Sequence, residues 1–167
     1  AEKQHKSADF LAMNGFGQVP VLRDGDTVIR DSQAILVYLA RQYGGEQWLP
    51  NDAAGLAEVC SRLSTAANEV SRGPTALRLH YKFGRQLVLA DAEQISHNLL
   101  ALLQLQLQQH PYLCGSVPNI ADVALYPYLA LAPEARLDLQ PFPAVRDWLT
   151  RIQQLDGYVG MPGMWQA

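Results

Sequence analysis

The sequence predicts an α+β protein that is mostly α-helical, with three parts along its 167 residues. A β-containing N-terminal piece spans residues 1–44, because the strongest β-hairpin signal falls there. Residues 45–51 are a linker, since glycine, tryptophan, proline and asparagine are concentrated around them. Residues 52–167 form an all-helical domain, because their apolar residues repeat at helical spacing and no second hairpin signal occurs.

The N-terminal piece begins with a short helix over residues 7–13 and continues into the hairpin. Two β-prone runs, residues 19–22 and 27–29, flank Asp24 and Gly25. An Asp-Gly pair between such runs is the strongest short-range signal for a hairpin. A lone hairpin cannot cover both faces of its sheet. We therefore expect this piece to pack against the helical domain, or to belong to a sheet whose other strands precede residue 1.

A second helix follows the hairpin directly and is predicted over residues 32–42. Asp31 and Ser32 are residue types that cap helix N-termini, and apolar side chains then recur at helical spacing. Gly44 and Gly45 stand where a C-cap glycine ends a helix.

The remaining helices are predicted near residues 53–82, with a kink at Gly73-Pro74, and near 91–109, 119–132 and 143–155. Residues 103–107 alternate between leucine and glutamine like a strand. The span 91–109 contains no glycine or proline, however, and its apolar spacing favours a helix.

Two further positions in the helical domain have structural interpretations. Asn119 and Asp122 lie three residues apart at a helix start, a reciprocal capping pair with aspartate in place of glutamate or glutamine. This pair stabilises the fold and is not a catalytic site. Cys60 lies within a helical pattern and is predicted to be a small buried hydrophobic residue.

Composition excludes several classes of protein. Hydrophobic residues make up 49% of the chain, enough for a core, and the net charge of −3 disfavours a basic nucleic-acid surface. No apolar run is long enough to span a membrane, and the first residues are too polar for a secretory signal. Two separated cysteines indicate a reducing, cytoplasmic compartment, and four histidines without ligand spacing predict no metal site.

The first candidate binding site is the Val19-Pro20 peptide, where a proline enters a strand. A cis bond there would turn the backbone N–H and C=O of Val19 toward an extended peptide ligand. The alternative is an ordinary proline on an edge strand, which the spacing alone favours because cis bonds make up only about 5–6% of X-Pro bonds.

The second candidate is Asp31-Ser32, at the start of the helix after the hairpin. Free N–H groups and the helix dipole suit a carboxylate, Ser32 adds a hydroxyl, and Asp31 can accept from an amino group. Together they would match an α-amino acid, whereas the structural alternative is a plain capping pair. His5 and Lys6 are cations that could meet a second carboxylate, although charged residues near a terminus are usually solvated.

Taken in order, three segments resemble cytosolic glutathione S-transferases, most of all the bacterial enzymes related to the beta, theta and phi classes. Residues 5–22 resemble the family segment HKS…FLxxNPFGQVPVL, with Gly15 in place of the proline. Residues 24–39 are similar to DGD…ESxAIxxYL. Residues 112–124 resemble YLAGxxxTIADxA, with Asn119 in place of the threonine.

The resemblance implies a thioredoxin-like domain followed by an all-helical domain, with glutathione as co-substrate and a cis bond before Pro20. It implies that Val19 pairs its backbone with the cysteinyl part of glutathione and that Gln18 lines the same site. Asp31 and Ser32 would hold the γ-glutamyl end. His5 and Lys6 would lie near the glycine carboxylate.

The resemblance also implies an activity, the conjugation of the glutathione thiolate to a small electrophile, and a homodimer. We expect the electrophile between the two domains, against the helix that carries Asn68, Arg72 and Tyr81. No nucleic-acid or membrane partner and no metal are expected. A thioredoxin-type oxidoreductase would need a Cys-x-x-Cys pair that the sequence lacks.

The family places a strand, a helix and a second strand before the segment that matches residue 1, so the thioredoxin-like domain is expected to be incomplete. The family's catalytic serine, tyrosine or cysteine lies in that stretch, so we expect the catalytic residue upstream of residue 1. In the alternative, the chain is a naturally short, non-catalytic module that binds ligands or proteins. The unfinished sheet favours the enzyme.

Overall fold

The structure is a computed structural model that describes residues 3–166, and it is mostly helical, as predicted. A short helix, a β-hairpin and a second helix precede a bundle of longer helices. The elements are α1 (Ala8–Met13), β1 (Val21–Asp24), β2 (Thr27–Arg30), α2 (Ser32–Leu39), α3 (Ala53–Thr65), α4 (Ala76–Phe83), α5 (Leu89–Leu107), α6 (Ile120–Ala130) and α7 (Pro143–Gln153).

The predicted hairpin is confirmed, but its first strand starts two residues later than the β-prone run. Strand β1 pairs antiparallel with β2, from Val21 opposite Arg30 to Asp24 opposite Thr27. Pro20 lies just outside the ladder, where its missing N–H removes no strand hydrogen bond. Gly25 adopts a φ of +57°, the left-handed conformation that this turn requires.

The long helix predicted over residues 53–82 is present, but it is not simply kinked. A π-helical segment, Ala66–Thr75, separates α3 from α4. Pro74 lies inside this segment and has no N–H to donate to a preceding carbonyl. The helix therefore widens around the proline and continues into α4.

Residues 103–107 are helical, as predicted, and their alternation has a structural cause. Leu103 and Leu107 are buried one turn apart. Gln104 Oε1 accepts hydrogen bonds from the backbone N–H groups of Ala144 and Val145, at 2.9 and 3.4 Å. Because the residue that precedes α7 supplies no side-chain cap, Gln104 caps α7 from a neighbouring helix.

The N-terminal piece docks on the helical domain through a small apolar cluster. Ala40 is buried directly after α2, with Leu36 and Val37 of that helix packed against the same cluster. The linker contributes Leu49, and the helical domain contributes Val59, Leu63 and Ile120. A larger cluster forms the core of the bundle around the fully buried Trp148. The predicted packing of the N-terminal piece against the helical domain is thus confirmed.

The prediction for Cys60 was wrong, because its side chain is exposed on α3. Val59 and Leu63, four residues apart, carry the buried face of that helix. Cys60 lies one residue beyond Val59, which turns it toward solvent. None of the helices described within residues 3–166 is long and apolar enough to cross a membrane.

The predicted capping pair at the start of α6 is confirmed, and its aspartate also accepts hydrogen bonds from groups outside that helix. Asp122 is fully buried and accepts hydrogen bonds from the backbone N–H groups of Asn119 and Leu113, each at 3.0 Å. It also accepts a bond of 2.8 Å from Trp148 Nε1, on α7. Burial raises the pKa of the Asp122 carboxyl above its ordinary value, and these donors oppose that rise.

Replacing Asp122 with alanine is expected to lower the free energy of unfolding by about 3 kcal/mol or more, because three buried donors lose their acceptor. Urea denaturation followed by circular dichroism measures this loss. Asp147→Ala is the matched control, since Asp147 is an exposed aspartate on α7. Equal stability of the two variants would contradict this role for Asp122.

Candidate glutathione site

A cleft of about 540 Å³ lies between the two parts of the chain. One wall is formed by Pro20 and the start of α2, and the opposite wall by α6 and the π-helical segment. The lining residues are Pro20, Asp31, Ser32, Gln33, Ile35, Leu36, Ala66, Ala67, Val70, Ser71, Thr75, Val123, Ala124, Pro127 and Tyr128. Asp31 is the one charged residue among those that the structure places in this lining.

The peptide bond between Val19 and Pro20 is cis, so the trans alternative that spacing alone favoured is wrong. The side chain of Val19 is 72% exposed. Within residues 3–166, its backbone N–H and C=O have no hydrogen-bond partner. An unpaired backbone edge of this kind can add an extended peptide as a further strand.

Asn14 holds the loop that leads to the cis bond. Its side chain is only 4% exposed, and its Nδ2 donates to the carbonyl of Gln18 at 2.7 Å. Its Oδ1 accepts from the backbone N–H of Phe16 at 3.1 Å. Sequence reasoning missed this residue, because an asparagine after a short helix looks like an ordinary turn residue.

Lys6 supports the same loop. Its ammonium donates to the carbonyl of Gly17 at 2.8 Å. Gly17 has a φ of +56°, and a Cβ at this position would lie only 2.8 Å from Lys6 Nζ. The left-handed backbone favours a glycine here, and the missing Cβ leaves room for the lysine.

The start of α2 presents a helix N-terminus to the cleft. Asp31 caps it, since its Oδ1 accepts from the backbone N–H groups of Gln33 at 2.9 Å and Ala34 at 3.3 Å. Asp31 has a φ of +76°, a strained conformation for a residue with a side chain. Its Oδ2 and the hydroxyl of the exposed Ser32 have no partner within residues 3–166 and can meet a ligand.

A second hollow, of about 690 Å³, lies on the other side of α6 between Trp48 and the C-terminal residues 155–164. The hydroxyls of Tyr126 and Tyr158, which both line it, are bonded to each other at 2.6 Å. The smaller cleft is the better candidate site, because a free backbone edge, a helix N-terminus and free hydroxyls converge there.

Comparisons with known proteins agree with this geometry. The sequence model described as the glutathione S-transferase N-terminal domain matches residues 1–47, and the one for the C-terminal domain matches residues 86–151. Glutathione S-transferase 2 of Anopheles gambiae is 30% identical over 146 residues, which cover 86% of this chain and 70% of that protein. The chain belongs to the glutathione S-transferase family.

Other relatives and solved structures extend the match. Human glutathione S-transferase theta-2 is 34% identical over 130 residues, 72% of this chain and 53% of that protein. The crystal structure of a transferase from Xanthobacter autotrophicus superposes with a TM-score of 0.86 at 34% identity, covering 95% of this chain and 79% of that one. A Drosophila mojavensis homologue with bound glutathione superposes with a TM-score of 0.82 at 27% identity, covering 93% of this chain and 73% of that one.

Family membership confirms the predicted fold, a thioredoxin-like N-terminal domain followed by an all-α domain. Of the predicted glutathione-site residues, Pro20, Asp31 and Ser32 come together in the cleft. Val19 precedes the cis bond directly, and Lys6 supports its loop. His5 and Gln18 do not line the cleft: Gln18 belongs to this loop, and the backbone carbonyl of His5 lies close to Gly17 in the same loop.

The residues predicted for the second-substrate pocket do not line the cleft. Asn68 and Arg72 are exposed on the π-helical segment, with Arg72 directed at the Asn68 side-chain oxygen. Tyr81 lies on α4 under the guanidinium of Arg136, 4.3 Å from the ring centre. The cleft is instead lined by Ala67 and Ser71, each one position earlier in the helix, and by residues of α6 that include Tyr128.

Replacing Asn14 with alanine is expected to lower the free energy of unfolding by about 1–3 kcal/mol, because the buried Asn14 side chain is lost and the partly buried carbonyl of Gln18 and amide of Phe16 lose their partner. Urea denaturation measures the change. Asn98→Ala, at an exposed position of α5, serves as the control and should stay close to the parent protein. A stability unaffected by Asn14→Ala would show that Asn14 does not hold the loop.

Proposed function

We propose that the protein binds glutathione in the cleft and conjugates its thiolate to a small electrophile. The observation that carries this proposal is the unpaired backbone edge of Val19, beside the N-terminus of α2. Such an edge suits the cysteinyl part of a tripeptide, and a helix N-terminus suits the carboxylate of an amino acid. The glutathione S-transferase names of the relatives support the same activity.

In this proposal each end of glutathione meets groups of opposite charge. The γ-glutamyl carboxylate accepts from the Ser32 hydroxyl and from the amide at the start of α2, and its amino group donates to the free oxygen of Asp31. The glycine carboxylate lies toward His5 and Lys6. Lys6 has three N–H donors and donates one to the carbonyl of Gly17, so the other two can bind an anion. Gln18 lies beside the cysteinyl segment.

The second substrate then lies against the opposite wall of the cleft. Ala66, Val70 and Val123 make this wall apolar, and Ser71 and Tyr128 add hydroxyls. Because the lining of this wall carries no charged side chain within the described chain, it suits an uncharged electrophile with an apolar body. We prefer this wall to the pocket predicted at Asn68, Arg72 and Tyr81.

The thiolate is the nucleophile, so a donor that stabilises it is needed for fast turnover. The expectation that the family's catalytic serine, tyrosine or cysteine lies upstream of residue 1 stays a prediction. A homodimer and a cytoplasmic location are proposals that rest on family membership alone. Nothing in the structure or the comparisons favours the non-catalytic alternative.

Asp31→Ala and Ser32→Ala are each expected to weaken glutathione binding by about 1–3 kcal/mol, because each removes a hydrogen bond to a charged group. Isothermal titration calorimetry with glutathione measures this loss. Ser116→Ala removes an exposed serine hydroxyl far along the chain and is the control. If affinity stays constant and only the melting temperature falls, Asp31 and Ser32 merely cap α2.

A further inference from the structure

The hollow between Trp48 and residues 155–164 is a cavity separate from the glutathione cleft, although Val123 and Pro127 of α6 line both. Its volume of about 690 Å³ lies in the range of small-molecule sites. Apolar and aromatic side chains make up most of its lining, as they do in such sites. The hollow therefore has the size and the lining to hold a ligand that the proposed function does not assign.

Both rims of this hollow are tied to the helical domain. The carbonyl of Trp48 accepts a hydrogen bond from the backbone N–H of Ile120, at the start of α6, at 3.2 Å. On the other side, the backbone N–H of Trp165 donates to the carbonyl of Ala130, at the end of α6, at 2.6 Å. The linker and the C-terminal segment are thus fixed to the two ends of one helix, as expected of a preformed site.

Two tyrosine hydroxyls in the lining are already paired. Tyr158 donates its one proton to Met164 Sδ at 3.4 Å, so the Tyr126 hydroxyl donates to the Tyr158 oxygen at 2.6 Å. Burial raises the pKa of the Tyr126 hydroxyl above its ordinary value, and the pair therefore stays neutral. A ligand in the hollow can pack on these side chains but receives a proton from neither hydroxyl.

The charge of the hollow comes from Asp156. It is the one charged residue in the lining that the structure describes, and it is exposed. Within residues 3–166 its carboxylate has no hydrogen-bond or ion-pair partner. A free carboxylate beside an apolar surface attracts a cation and repels an anion. Trp48 and Tyr158 add aromatic rings, whose faces attract organic cations.

We propose that this hollow binds a lipophilic organic cation, a quaternary phosphonium or ammonium ion with aromatic substituents. The aromatic groups pack against Trp48, Tyr158 and Met161, and the positive charge lies toward Asp156. The flexible thioether of Met161 lets the wall adapt to ligands of different shape. A small inorganic cation does not fit this lining, because a single exposed carboxylate cannot replace its hydration.

Tetraphenylphosphonium and tetraphenylborate test the proposal, because they share one shape and carry opposite charges. Isothermal titration calorimetry measures the affinity of the purified protein for each ion, in sodium buffer, with and without glutathione. The phosphonium is expected to bind about 10-fold more tightly than the borate, since Asp156 attracts one and repels the other. Glutathione should leave the phosphonium affinity within about twofold, because the two ligands occupy different cavities.

Asp156→Asn keeps the size of the side chain and removes its charge. It is expected to weaken phosphonium binding about three- to fivefold, the contribution of a favourable exposed ion pair, and to strengthen borate binding. Asp147→Asn is the matched control, because it changes the net charge equally at an exposed position of α7 that does not line the hollow. Asp156→Lys should reverse the preference, so that the borate binds more tightly.

Three results would overturn the proposal. Equal affinities of the parent protein for the two ions, or no saturable binding of either, would show that the hollow does not select a cation. An Asp156→Asn protein that behaves like the Asp147→Asn control would exclude Asp156 as the charged partner. Competition by glutathione would place the phosphonium in the cleft. None of these results bears on whether the cleft itself binds glutathione, so the proposed function is tested separately.

Discussion

The buried carboxylate of Asp122 fixes the part of the molecule on which the rest of the cleft depends. It joins the loop at Leu113, the start of α6 at Asn119 and the ring of Trp148 on α7. Because three donors bond to one carboxylate, they hold the start of α6 in place within the bundle. Because α6 forms one wall of the cleft, the position of that wall follows from this interaction.

The same helix also fixes the opposite wall. Ile120, at the start of α6, packs in the cluster where Leu36, Val37 and Ala40 dock the N-terminal piece. Hydrophobic packing between α2 and α6 thus holds the two walls together. The two walls then contribute different chemistry. The N-terminal wall offers backbone groups and a helix N-terminus, which recognise a peptide, and the helical wall offers apolar side chains and hydroxyls.

Local signals in the sequence predict the N-terminal wall well. A few neighbouring residues decide an Asp-Gly turn, a capping aspartate and an X-Pro bond. The hairpin, α2 and the candidate edge at Val19 could therefore be predicted from the local sequence. The cis state of the Val19-Pro20 bond could be predicted only from the family resemblance, because the spacing alone favours a trans bond. Asn14 was missed, since its burial depends on how the loop folds back over it.

The helical wall could not be predicted in the same way. Its lining depends on which face of the π-helical segment meets the cleft, and no local signal in the sequence marks that face. The prediction named Asn68 and Arg72, whereas Ala67 and Ser71, each one position earlier, line the cleft. Tyr128 carries no local signal either, because a tyrosine on an apolar helix is usually a core residue. Only the packed structure shows that it lines the cleft.

The central claim is that the edge of Val19 and the N-terminus of α2 together form one binding site for glutathione. An amide NMR titration with glutathione tests it most directly, because each backbone N–H reports separately. The account predicts saturable shifts at Val19, Ser32 and Gln33, with a common affinity, and unchanged amides along α7. Shifts confined to the hollow near Trp48 and Met161, or no saturable shifts at all, would contradict it.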